Sequence, residues 1–217
     1  MELYSAPVTL PGPLRFRTEQ DREISRILLR FCQRSADLLH AAGLIDGSGE
    51  PGLLLPEDRT VAGKLGNAAG AALPKTELPG RLEIGFLRSL TKVGMSVQKL
   101  SCEQLVTLQD DCGLAGAFLE ALALCALKKG HRVQLCPSPI CLETPEAVIL
   151  PELGAAWVSE RSGIHGTARI ALDEIPDAER KLALKEHMAR DRALQRALID
   201  QAAGQMKLAG ILYTLFE

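Results

Sequence analysis

The stretch from Leu105 to Cys136 constrains the fold of this chain more than any other. LVTLQ is a short apolar run, DDCGLAG is a tight polar turn with small residues, an apolar segment at helical spacing runs to Lys129, and HRVQLC is a second apolar run beyond Gly130. A strand, a helix of roughly four turns and a strand within about thirty residues form a βαβ unit, whose strands are parallel and whose crossover is right-handed. The spacing predicts strands over 105–108 and 131–136 and a helix over 114–129. Further short strands are expected at 81–84, 148–150, 155–159 and 168–172, so the chain reads as α/β with a parallel-sheet core.

The flanks read as helical. TEQDREISRILLRFCQRSADLLHAAG repeats apolar residues at helical spacing, with Thr18 and Asp21 placed as a capping pair and Gly43 as the stop. After the Gly- and Pro-rich segment to Thr60, TVAGKLGNAAGAAL is expected to be a helix whose Gly63, Gly66 and Gly70 let another backbone approach. Gly63-Lys64 is no phosphate loop, because neither the upstream glycine nor a following Ser or Thr is present. GFLRSLTKVG is expected to be a short helix ended by Gly94. From Pro176 onward a helical pattern runs for some forty residues, with Leu182, Leu194, Leu198, Met206, Leu212 and Phe216 as its stripe, as one long helix or a hairpin bent near Gly204 or Gly210. Residues 1–84 are read as an N-terminal arm and helical extension, and residues 85–217 as the core with its C-terminal helical cover.

A strand followed by a glycine-bearing turn and a helix is how many proteins hold a phosphate. A working loop also needs a Lys for the outer phosphates and a Ser or Thr for magnesium. Gly116 and Ala117 stand in those two places, and Asp110 and Asp111 put negative charge at the mouth. Hydrolysis of a nucleoside triphosphate is therefore not expected, and the sequence requires no cofactor. The two carboxylates could hold magnesium or act as an acid/base pair, but an acid just before a helix is expected to serve its N-terminus. As a candidate site for an altered ligand, the turn comprises Asp110, Asp111, Cys112, Gly113 and Gly116, with His165 in the loop SGIHGT able to close over it.

The order GFLRSL, LVTLQDDCGLAGAF, KKGHRVQLCPSP and AVILPELGAAWVSE resembles one repeat of a bacterial family of P-loop ATPase-like proteins of obscure function. In that family a GFxSFxxSL-like segment precedes a strand and a GGPGTGKST loop, and a VIIPELG-like segment follows the second strand. VILPELGAAWV at 148–158 carries the likeness most specifically, and the loop matches by position alone. The resemblance implies a P-loop NTPase-like core with a degenerate loop, and it does not carry ATP hydrolysis to this chain. A Rossmann-like arrangement stays open as the alternative.

The six cysteines are expected to be reduced thiols. Cys136 and Cys141 follow the second strand, and Cys112 lies in the turn after the first. In a parallel sheet those two strand ends are expected side by side, so three thiols could meet around zinc or an iron–sulfur cluster, with Asp111 or His165 as a fourth ligand. Cys112 near a helix N-terminus is also a candidate nucleophile. Cys32 and His40 read as packing or surface residues, and His131 and His187 as surface residues.

Composition narrows the partners. Aromatics are only 4% of residues and the net charge is −2, which supports neither base stacking nor attraction to phosphate backbones or anionic lipid. No segment offers the roughly 18 uninterrupted apolar residues of a membrane span, and the N-terminus lacks the pattern of a signal peptide. A cytoplasmic protein acting through a protein partner or its own copies is expected, with a small-molecule ligand as the alternative.

Overall fold

The computed structural model describes residues 19–46, 54–91 and 93–214. Thr18 and Phe216 lie outside them. Six strands form one twisted sheet: β1 (Arg81–Ile84), β4 (Gln104–Gln109), β5 (Arg132–Pro137), β6 (Pro145–Leu150), β7 (Ala155–Ser159) and β8 (Ala168–Ala171), with spatial order β1-β5-β6-β7-β4-β8. Every strand runs the same way except β6, which is antiparallel to both neighbours. The protein is α/β with a mostly parallel sheet.

The expected strand pair is present with one correction. β4 and β5 point the same way, but β7 and β6 lie between them. The connections explain the insertion. A parallel crossover needs a dozen or more residues, whereas only residues 138–144 separate β5 from β6 and only residues 151–154 separate β6 from β7, so both connections must be antiparallel turns. Gly154, at φ 56°, closes the second of them.

α3 (Ala115–Lys128) lies on one face of this sheet. Its Phe118, Leu119, Leu122 and Ala126 pack with Leu108, Val133, Val148 and Leu150 in the largest apolar cluster. α2 (Pro56–Ala72) lies along α3, and the glycines of its inner face set the distance. A Cβ on Gly66 would stand 2.1 Å from the carbonyl oxygen of Phe118, and one on Gly70 would stand 2.5 Å from Cβ of Cys125. Gly63 has no neighbour closer than 3.9 Å, so two of the three expected glycines are used for close approach. α2 starts at Pro56, earlier than Thr60, because Asp58 accepts a hydrogen bond from the Leu55 amide and closes the first turn.

The segment at 85–94 is not a helix. It forms β2 (Arg88–Thr91), which pairs antiparallel with β3 (Gly94–Val97) in a separate ribbon. Leu87 and Leu90, three residues apart as on a helix face, serve two different cores. Leu87 packs with Cys136, Ala147 and Val158, and Leu90 packs with Leu39, Ala202 and Met206.

α1 (Glu19–Asp46) and α4 (Ala178–Thr214) lie against each other, and α4 is one continuous helix of 37 residues with no break at Gly204 or Gly210. Its buried side chains include Leu184, Met188, Ala202, Ala203 and Met206, whereas Leu182 and Leu194 face outward. Among the described residues no helix is long and apolar enough to cross a membrane.

A clasp of hydrogen bonds joins α2 to the sheet. His131, expected at the surface, is fully buried with Nε2 2.6 Å from the Pro74 carbonyl oxygen. The Thr76 hydroxyl donates to the Gly130 carbonyl, and the Lys129 ammonium donates to the carbonyls of Ala71 and Leu73. Gly130 sits at φ 88°, and a side chain there would strike the Leu78 carbonyl. These contacts deliver the chain from α2 into β1, so residues 56–84 share the core with the strands that follow.

Candidate functional site

β4 ends at Gln109, and the turn from Asp110 to Leu114 leads into α3. Asp110 is 3% exposed and receives three backbone hydrogen bonds. Oδ1 accepts from the amides of Cys112 (3.1 Å) and Leu114 (2.8 Å), and Oδ2 accepts from the amide of Ala115 (2.8 Å). These are the amides that a phosphate would use at a helix N-terminus. The turn thus closes on its own carboxylate, and Asp110 caps the helix as its position suggested. Gly113 holds φ 85°, a conformation that side chains resist, and Gly116 lets the Thr144 methyl come within 3.2 Å of where a Cβ would stand.

A cleft of about 1170 Å³ opens above this turn, at the carboxyl ends of β4 and β7. Such a crevice is where open α/β sheets hold ligands. Its walls come from the turn, from the segment linking β5 to β6, from Ser159–Arg161 and from the stretch of α4 around Arg192–Asp200. Five arginines and eight carboxylates line it, so its fixed charge is mixed with an acidic excess. Asp111 pairs with Arg192 across the cleft at 3.1 Å, tying the turn to α4.

The Arg88–Glu146 ion pair is deeply set. Glu146, on β6, is 3% exposed, and its Oε2 accepts from both Nε (2.8 Å) and Nη2 (2.5 Å) of Arg88. Its Oε1 lies buried with no hydrogen-bond partner among the described residues. Burial pushes the Glu146 carboxyl above the usual carboxylate range, against the opposing pull of Arg88. Neither residue stood out in the sequence. The only local signal was a Glu beside Pro145 at the head of an otherwise apolar strand.

The thiols do not converge. With two strands between β4 and β5, Cys112 belongs to the α3 cluster and Cys136 to the cluster around Leu87, while Cys141 lines the cleft with Sγ 3.3 Å from the Thr144 hydroxyl. Among the described residues no group of three or more His, Cys, Asp or Glu side chains is arranged to hold a metal ion. Nor is Cys112 an activated nucleophile. Burial, followed by the charges of Asp110, Asp173 and Asp111, pushes its thiol up to about 11, and Asp110 has already taken the helix amides that would have lowered it. Burial likewise pushes Cys136 up to about 12. Native alkylation should therefore mark Cys141 well before Cys112 and Cys136, which react fully only on unfolding. Mass-spectrometric mapping in which Cys112 is modified first would contradict this order.

His165 is exposed, in the loop before β8. That loop runs beside the amino end of β4, where the Gly166 amide donates to the Thr107 hydroxyl and a Cβ on Gly166 would strike the Leu105 carbonyl. His165 does not line the cleft. Among the residues singled out, the cleft gathers Asp110, Asp111, Gly113, Gly116 and Cys141.

No protein-family model, curated protein or solved structure matches this chain.

Proposed function

We propose that the cleft over the Asp110–Gly116 turn binds a small polar molecule and that the protein does not hydrolyse nucleoside triphosphates. The observation that carries this reading is Glu146, a residue of the cleft wall whose buried Oε1 has no hydrogen-bond partner among the described residues. Native structures rarely leave such an atom unpaired, and a ligand hydroxyl or amine would complete it. Arg59 and Arg196 at the rim offer guanidinium groups to a single carboxylate or phosphate on the same molecule. A triphosphate suits the cleft poorly. The helix amides are taken by Asp110, and the acidic excess repels three linked phosphates. On this reading the strand, turn and helix are a P-loop-like element whose phosphate place has been filled from within.

Thermal unfolding of the reduced protein tests the proposal against a panel of amino acids, amino sugars, sugar monophosphates and nucleotides with magnesium. A ligand present at about 100 times its dissociation constant adds about 2.7 kcal/mol, a rise of a few degrees for a chain of this size. A rise with a small zwitterion or monophosphate that disappears in Glu146→Gln supports the reading. A rise with ATP that persists in that variant overturns it.

Association through α4 is a second reading, favoured by the exposure of Leu182, Leu194, Leu208 and Ile211 on that helix. We place it second because Leu184, Met188, Ala202, Ala203, Met206 and Ala209 of α4 already pack inside the fold.

A further inference from the structure

β1 is an edge of the six-stranded sheet. The Arg81 amide donates to the His131 carbonyl and the Gly85 amide to the Leu135 carbonyl, so the odd-numbered residues bond inward to β5. By the alternation of a strand, the N–H and C=O of Leu82 and Ile84 point outward, away from β5. Their side chains stand in register with Val133 and Leu135, on the face where α3 lies, yet are 51% and 59% exposed. An edge with free backbone groups and large apolar side chains is a template for another strand.

The charges on the opposite face say which strand fits. Arg81 and Glu83 point there, Arg81 being three-quarters exposed, and Glu83 pairs with Arg81 at 3.2 Å and with Arg132 at 2.7 Å. A second copy of β1 can add in antiparallel fashion about a two-fold axis centred on Leu82, Glu83 or Ile84. Centred on Glu83, two carboxylates face each other. Centred on Ile84, Glu83 faces Gly85. Centred on Leu82, Arg81 of each copy faces Glu83 of the other, the two Leu82 side chains meet on the far face, and the two Leu82 backbones exchange both hydrogen bonds. Ile84 then lies opposite Gly80, where no side chain obstructs it.

We propose that this protein self-associates through β1, two copies joining edge to edge in the register centred on Leu82 to make one continuous twelve-stranded sheet. The contact is isologous, so it closes at two copies and leaves no β1 edge for a third.

Sedimentation of the whole chain from low micromolar to submillimolar concentration tests this. The wild type is expected to show a reversible monomer–dimer equilibrium. Arg81→Glu faces Glu83 of the second copy with a like charge twice over, and should weaken the dimer by about tenfold or more. The triple variant Arg81→Glu, Glu83→Arg, Arg132→Glu restores every pair, within and between copies, and should dimerise again. Mixed with the wild type, it should form homodimers only, read by native mass spectrometry. Leu82→Lys gives a second way of blocking the edge should Arg81→Glu misfold. The backbone amides of Leu82 and Ile84 should exchange more slowly with solvent as concentration rises. A wild type that stays monomeric throughout overturns the proposal. So does a dimer indifferent to the edge variants, which would instead point to α4.

Discussion

Asp110→Ala should destabilise the protein by about 3 kcal/mol in urea unfolding, and added phosphate or acetate should recover part of the loss. The carboxylate receives three backbone amides inside the fold. Removing it leaves buried donors without an acceptor, each costing about 1 kcal/mol or more, and strips α3 of its cap. The anion response is the sharper part. If Asp110 fills the place of a phosphate, its removal recreates a helix N-terminus able to take one. Phosphate should then raise the midpoint of the variant by clearly more than that of the wild type. Equal shifts in the two proteins would mean that the turn does not admit an anion even when emptied. Asp110→Asn should fall between them, since it keeps one accepting oxygen but turns an amide toward the Ala115 N–H.

The Arg88–Glu146 pair should give the other large effect. Glu146→Ala leaves the Arg88 guanidinium, 13% exposed, without its counter-charge, and is expected to cost about 3–5 kcal/mol. Replacing both residues with apolar ones of similar volume, Arg88→Met with Glu146→Leu, should recover much of that loss, because the desolvation of both charges disappears with their attraction. The pH dependence has a definite sign. Burial raises the folded pKa of Glu146 above its unfolded value, so the folded state holds this proton more tightly. Its contribution to stability is fully present below the unfolded pKa and is lost as pH rises through the folded one. Relative to Glu146→Gln, the wild type should therefore lose stability as pH climbs from the ordinary carboxylate range. A difference that grows with pH would show that Arg88 outweighs burial.

The sequence was informative where periodicity and local chemistry act over a few residues. The strand, turn and helix around Asp110 and the small face of α2 are fixed by neighbours along the chain, and both were readable there. The arrangement of the sheet was not readable in that way, because Val, Ile and Leu in β5 and β6 say that a strand is buried without saying beside what. The short links after β5 and β6 carried the missing information, since neither could hold a crossover. The helix expected over 85–94 failed for a related reason. Leu87 and Leu90 match a helical repeat, yet each answers to a different cluster formed by residues far away in the chain. In the site, the turn was visible as a pattern of residue types, whereas the Arg88–Glu146 pair joins positions 58 residues apart and leaves no local trace.

The insertion of β6 and β7 also sets an order of assembly. β5, β6 and β7 form a meander whose pairings join near neighbours in the chain, while β4 must reach from Gln104 to Ala155 to pair with β7. Closing the nearer loops costs less chain entropy, so the meander can form before β4 docks. Trp157, the only tryptophan in the chain, lies on β7, in register with Val148 of the meander on one side and Val106 of β4 on the other. Its fluorescence is therefore a built-in clock for the moment at which the two halves of the sheet become one.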